Sequence, residues 1–166
     1  MIFFKDVYIA LIPPISFVIL NFLSYRYHLV SGIERDDKKE LGTLYYPISL
    51  VVLVLFTFGY INKPYIGAIG VMIMGYGDGI ATIIGYKFGK KKLFKNKTYL
   101  GSMTMFIISF LTTFILLWIF NPLHLFIYSF IIAITATIAE GLSCKGLDNL
   151  TVPLFTTFIY YLLITI

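Results

Sequence analysis

Apolar runs of membrane-crossing length fill almost the whole chain, at 7–30, 44–61, 64–86, 101–120, 123–141 and 150–166. A helix needs about 20 such residues to cross a hydrocarbon layer roughly 30 Å thick. The runs predict an all-α fold: a polytopic integral membrane protein of about six transmembrane helices, with residues 1–166 as a single helical domain. Composition agrees, since 59% of the residues are hydrophobic and 13% charged, with a mean hydropathy of +0.90, well beyond a soluble domain. The first run carries Pro13-Pro14 in its middle and lacks the short core and small-residue cleavage site of a signal peptide. It therefore reads as a kinked spanning helix. The single cysteine, Cys144, allows no internal disulfide and no metal cluster of its own, so packing is its expected role.

The net charge of +5 does not point to nucleic acid, because the lysines have no soluble fold to present them. Membrane topology accounts for them better. With six spans, the loops 31–43, 87–99 and 142–149 share one side, and the termini with the turns 62–63 and 121–122 share the other. Of the 13 lysines and arginines, only Lys5 and Lys63 fall on the second side. The positive-inside rule then makes the three longer loops cytoplasmic and both termini external. Tyrosines near helix ends, such as Tyr60 and Tyr65, suit interfacial belts.

Against that background Asp78 is conspicuous, because it lies inside an apolar run between Gly77 and Gly79. A carboxylate there costs about 2.5 kcal/mol or more to insert and is expected to face a partner, a cavity or an ion. It lies roughly 12 Å from the helix end at Tyr86 at 1.5 Å per residue, which is shallow enough to reach from the cytosol. The flanking glycines permit a local break and the close approach of a phosphate or hydrated cation. Gly75, Gly79, Gly85 and Gly89 also make small-residue spacings suited to helix packing.

Six lysines then fall within residues 87–97, and the segment ends in Thr98 and Gly101-Ser102 at the head of the next span. Such lysines serve as a topology signal or attract anionic head groups. A basic hairpin leading into a helix N-terminus is also a cradle for polyphosphate, since free N–H groups and the helix dipole favour anions. It is not a Walker A loop. On the third loop side stand Glu140, and Asp148-Asn149 just before the last helix, where capping is the ordinary duty of Asn149. Asp78, Glu140 and Asp148, from three helix ends, are the parts of a site for Mg²⁺ or another divalent cation, which prefers oxygen ligands. The first loop is a mixed charge run whose exit, Gly42-Thr43, offers a close backbone approach or a hydroxyl to a ligand. His28 and His124 sit at opposite faces and share no metal.

The pattern GDGIATIIGYKFGKKKL, followed by KNKTYLGS, by AEGLSCKGLDNLTVPL and, earlier, by ERDDKKELGTLYYPIS, resembles the integral-membrane polyprenol kinases, the group of dolichol kinase, phytol kinase and related CTP-dependent lipid kinases. The resemblance covers roughly residues 20 to 160. It implies transfer of the γ-phosphoryl group of CTP or another nucleoside triphosphate to a long-chain isoprenoid alcohol, of polyprenol, dolichol or phytol type, at the cytoplasmic face of the cell membrane or the endoplasmic reticulum. It implies Asp78, Glu140 and Asp148 as catalytic and metal-holding groups, and Lys90, Lys92, Lys95, Lys97, Thr98, Ser102, Gly77 and Gly79 as the nucleotide site, with Asn149 and Gly42 nearby. Family members usually begin with a further helix bearing an Arg-Lys…His motif. Its absence from this sequence implies a short version, a partner supplying the piece, or a homo-oligomer.

Two other readings compete. The sequence is more distantly similar to the phosphatidate cytidylyltransferases, which make a CDP-lipid and release pyrophosphate; their fuller acidic signature near the last helices is not seen. A transporter or channel subunit would place polar groups at mid-membrane on several spans, whereas here charge crowds at one face.

Overall fold

The computed structural model describes residues 6–27, 42–94, 97–121, 123–144 and 146–165. Among the described residues the chain is all-α but for one small hairpin. Helix α1 spans Val7–Tyr27 and α2 spans Gly42–Leu53, continuing as a π-helix over Val54–Tyr60. A third rod is built from α3 (Pro64–Met72), a π-helix (Ile73–Asp78) and α4 (Gly79–Phe88). Strands β1 (Lys92–Phe94) and β2 (Lys97–Thr98) lead into α5 (Tyr99–Phe120), α6 (Leu125–Leu142) and α7 (Asp148–Thr165).

Among the described residues five helical rods are long and apolar enough to cross a membrane: Val7–Tyr27, Gly42–Tyr60, Pro64–Phe88, Tyr99–Phe120 and Leu125–Leu142. The sixth expected span is α7. Its first turn is Asp148-Asn149, it contains Pro153, and it stands outside that group of five. It packs against α2, α3 and α6, while Phe155 and Phe158 on its other face are exposed. The other faces of the bundle carry exposed Ile12, Leu20, Trp118, Phe126 and Phe130. Apolar side chains facing outward are at home against lipid tails.

Pro13 and Pro14 lie inside α1, where the Ser16 hydroxyl donates to the Pro13 carbonyl at 2.7 Å. One expectation changes. The expected break at Asp78 is instead a widening: the rod remains helical and passes through a π-turn ending on Asp78. Glycines at 75 and 77 make that wider backbone accessible, and π-turns inside α-helices recur at functional sites. Tyr65, at the start of α3, stacks its ring on Phe120 and meets Tyr160 edge-on.

The core lies between α3, α5, α6 and α7, where Ile66, Ile69, Met105, Leu117, Ile132, Val152 and Tyr160 are fully buried. Close approach is set by small residues. A side chain at Gly70 would run into the Pro153 carbonyl and the Thr157 hydroxyl, so this glycine lets α3 lie directly on α7. At Gly77 an added methyl would meet Met105 Sδ and Ser109 Oγ at 3.0 Å, which seats the π-turn on α5.

Candidate functional site

At one end of the bundle, α4 stops, the hairpin crosses over, α5 starts, α6 stops and α7 starts. The turn from α6 to α7 brings two carboxylates close. Ser143 follows the last residue of α6, and its hydroxyl lies 2.6 Å from that of Thr151 on α7. Gly146 adopts φ +78, a left-handed conformation that glycine takes without strain. Glu140 from the last turn of α6 and Asp148 from the first turn of α7 thereby face the same side chain. That side chain is Lys97, whose Nζ forms an ion pair with Glu140 Oε1 and donates to Asp148 Oδ2 at 3.1 Å.

Lys97 is aimed by its hairpin. Strands β1 and β2 are antiparallel, with Lys92 opposite Thr98 and Phe94 opposite Lys97, and Tyr99 N–H extends the pairing to the Lys91 carbonyl at 3.1 Å. Thr98 caps α5, its hydroxyl accepting from Gly101 N–H at 3.1 Å. Three glycines wrap that hydroxyl. A methyl at Gly85 or Gly101 would sit 3.0 or 3.1 Å from Thr98 Oγ1, and one at Gly89 would overlap it. The hairpin is thus clamped between α4 and α5. Lys97 sits between opposing influences: burial disfavours its charge most, but the hydrogen bond to Glu140 and the fields of Glu140, Asp148 and Asp78 outweigh that. Its ammonium is held above the ordinary lysine value.

Asp78 closes the cluster from below. It lies within electrostatic reach of Asp148, Lys97 and Glu140. Its Oδ1 is buried without a hydrogen-bond partner, as is Glu140 Oε2, although Glu140 as a whole is only 4% exposed. Unpartnered buried carboxylate oxygens are costly and call for a donor or a cation. Ser102, one turn into α5, likewise has a buried hydroxyl with no partner.

The structure thus gathers Asp78, Glu140, Asp148 and Lys97. Lys90 and Lys92 stand exposed on the hairpin, apart from the carboxylates, and Lys95 lies outside the described residues, as do His28 and most of the first loop. Thr98 is occupied as a cap. Gly77 is buried against α5, whereas Gly79 is exposed, with nothing within 4 Å of where a side chain would begin. Asn149 does not cap α7. It is the second residue of that helix, and its side-chain nitrogen would lie 2.9 Å from a methyl at Gly42. The exit of the first loop thereby rests on the α6–α7 turn. Sequence reading missed the buried hydroxyls of Ser109 and Thr113, which with Ser102 fall at spacings of seven and four on α5 and have no partner. That spacing places them on one face of the helix, which was the available signal.

These groups fit a divalent cation only in part. Among the described residues no three His, Cys, Asp or Glu side chains are spaced to hold a metal ion, so a cage of Asp78, Glu140 and Asp148 alone does not fit. Lys97 stands between two of its members. Mg²⁺ carried on phosphates needs only one or two protein carboxylates. The unpartnered Asp78 Oδ1 and Glu140 Oε2 fit that smaller share.

No family model matches the chain, and no solved structure matches it. Curated relatives do. A phytol kinase of Synechocystis sp. is 34% identical over 143 residues, covering 82% of this chain and 60% of the relative. A probable chloroplastic phytol kinase 1 of Oryza sativa subsp. japonica is 35% identical over 150 residues, covering 81% and 47%. Phytol kinase 1, chloroplastic, of Arabidopsis thaliana is 31% identical over 149 residues, covering 81% and 48%. The chain spans about half to three-fifths of the length of these relatives. Over that shared region, the chain belongs by sequence to the polyprenol and phytol kinase family.

Proposed function

We propose that this chain forms the catalytic core of a membrane lipid kinase, one that moves the γ-phosphoryl group of a nucleoside triphosphate, CTP in our reading, to a long-chain isoprenoid alcohol of the phytol class. The observation that carries it is the convergence of Asp78, Glu140, Asp148 and Lys97. The relatives that are phytol kinases point the same way. Phosphoryl transfer asks mainly for positioning and for compensation of phosphate charge, and such a cluster suits both needs. In the reaction the alcohol oxygen bonds to the γ-phosphorus, the bond from that phosphorus to the bridging oxygen breaks, and the nucleoside diphosphate leaves with that oxygen. The hydroxyl proton passes to a carboxylate, and Asp78, with a buried unpartnered oxygen, is the one we assign to orient that hydroxyl. Lys97 supplies positive charge to the transferred group. The free oxygens of Asp78 and Glu140 would help hold a divalent cation carried on the phosphates, which would supply further neutralisation. The exposed Lys90, Lys91 and Lys92 at this end favour a cytoplasmic location for the site.

The test uses purified protein in lipid with γ-labelled CTP and a panel of alcohols including phytol. Label is expected in the organic phase, and the substitution Asp78→Asn abolishes it while the melting profile is kept. Release of pyrophosphate with formation of a CDP-lipid would assign the chain to cytidylyl transfer instead. Unaltered activity in Asp78→Asn would remove Asp78 from the site.

A further inference from the structure

The lysines between α4 and α5 fall into two groups that face different surroundings. Lys97 points to Glu140 and Asp148. Lys87, in the last turn of α4, and Lys90, Lys91 and Lys92 after it are exposed. Among the described residues none of these four ammonium groups has a carboxylate partner, and residues 79–102 contain six lysines and no acidic residue.

Apolar side chains lie among the outward lysines. Tyr86, Phe88, Leu93 and Tyr99 are all exposed, and the Lys87 ammonium stands 5.5 Å from the centroid of the Phe88 ring. Position accounts for the mixture. One membrane-length rod ends at Phe88 and the next begins at Tyr99, so the hairpin joins two span ends, where hydrocarbon gives way to head groups. The pairing keeps the lysines at that level, because the Lys91 carbonyl accepts from Tyr99 N–H and Lys92 lies opposite Thr98. Aromatic rings are at home at this depth, and a lysine there lays its aliphatic stem along apolar surface while the ammonium stays wet.

We propose that Lys87, Lys90, Lys91 and Lys92 form a docking surface for the phosphate head groups of anionic phospholipids. Charge complementarity selects the occupant, since four unpaired cations beside a bilayer attract its negative lipids within a Debye length of roughly 8 Å. One kind of molecule then meets both halves of the surface: the phosphate faces the ammonium groups and the acyl chains cover the exposed rings. A free triphosphate has phosphate of the same chemistry but no chain for the rings, and at the carboxylate cluster the described lysine that would meet it is Lys97. Nothing in this surface depends on the kinase reading.

The experiment places the full chain in phosphatidylcholine bilayers with a trace of spin-labelled lipid, and electron paramagnetic resonance reads the fraction of label immobilised at the protein. Spin-labelled phosphatidylglycerol is expected to associate at least about twofold more strongly than spin-labelled phosphatidylcholine, and salt at about 1 M to erase the difference. Replacing the four lysines together, by Lys87→Gln, Lys90→Gln, Lys91→Gln and Lys92→Gln, is expected to abolish the preference, and the four matching arginine substitutions to keep it. A wild type without preference, or a glutamine variant that retains it, overturns the proposal. Adding CTP with Mg²⁺ is expected to leave the preference in place; a preference that CTP abolishes assigns these lysines to free triphosphate and overturns the lipid surface. A second measurement uses the unaltered chain, should the glutamine variant not fold. Acylation by an amine-reactive reagent, read by mass spectrometry, is expected to slow at Lys87, Lys90, Lys91 and Lys92 when phosphatidylglycerol replaces phosphatidylcholine, and equal rates in the two bilayers overturn the proposal. Neither readout involves lipid phosphorylation, so failure here leaves the kinase reading standing, and failure of label transfer leaves this surface standing.

Discussion

The two ends of the bundle are built on opposite rules for polar groups. At the end away from the hairpin, Tyr160 is fully buried and its hydroxyl accepts from the Asn121 side chain at 3.0 Å, while the Tyr128 hydroxyl donates to the Leu163 carbonyl at 3.0 Å. Rings of Tyr65, Phe120, Tyr128 and Tyr160 pack against one another with centroids 5.7 to 6.4 Å apart. Each named polar atom there has a partner. At the hairpin end Asp78, Glu140 and Ser102 all keep buried oxygens without one. Ser129, one turn into α6 at the far end, also keeps a buried hydroxyl without a partner, so the difference lies in kind: the open groups at the hairpin end include carboxylates, whose desolvation costs far more than that of a hydroxyl and calls for a ligand.

Substitutions at each end test that division. The largest effect is expected from Glu140→Gln, which keeps an acceptor for Lys97 but removes a charge. Lipid phosphorylation should fall by about 100-fold or more with little change in thermal unfolding. A variant that unfolds, yet keeps its specific activity while folded, would show that the hairpin end is structural too. A step smaller is Gly89→Ala, where the new methyl runs into the Gly85 carbonyl and the Thr98 hydroxyl. Overpacking against backbone should cost about 2 kcal/mol in a denaturant titration in detergent, whereas Gly79→Ala, with open space around it, should leave stability unchanged. The smallest effect belongs to the far end. Tyr160→Phe loses the bond from Asn121 and should cost about 1 kcal/mol with phosphorylation unaltered; a large loss of activity there would break the contrast.

Much of this molecule is legible in its residues, and the exceptions are instructive. Asp78 stands out because a carboxylate in an apolar run has few benign explanations. Glu140 and Asp148 are recognisable by type but not by contact, since only the α6–α7 turn with Gly146 brings them onto one lysine. The basic segment misleads by abundance: its lysines look equivalent in sequence, yet of the described ones Lys97 turns inward while Lys90, Lys91 and Lys92 are exposed. Thr98 resembles a phosphate ligand until its glycine collar shows it to be a cap. Ser109 and Thr113 pass unnoticed, because hydroxyls in membrane helices ordinarily bond to their own backbone.

Residue chemistry alone determined the helical membrane class, the approximate spans and the asymmetry of charge between faces, because bilayer thickness and the cost of moving charge act on local sequence. Tertiary structure alone decided that the rod through Asp78 widens instead of breaking, and that one lysine is shared by two carboxylates. Those outcomes depend on which surfaces come close enough to exclude one another, and glycines at 42, 70, 77, 85 and 89 set that distance through contacts with residues far away in the chain.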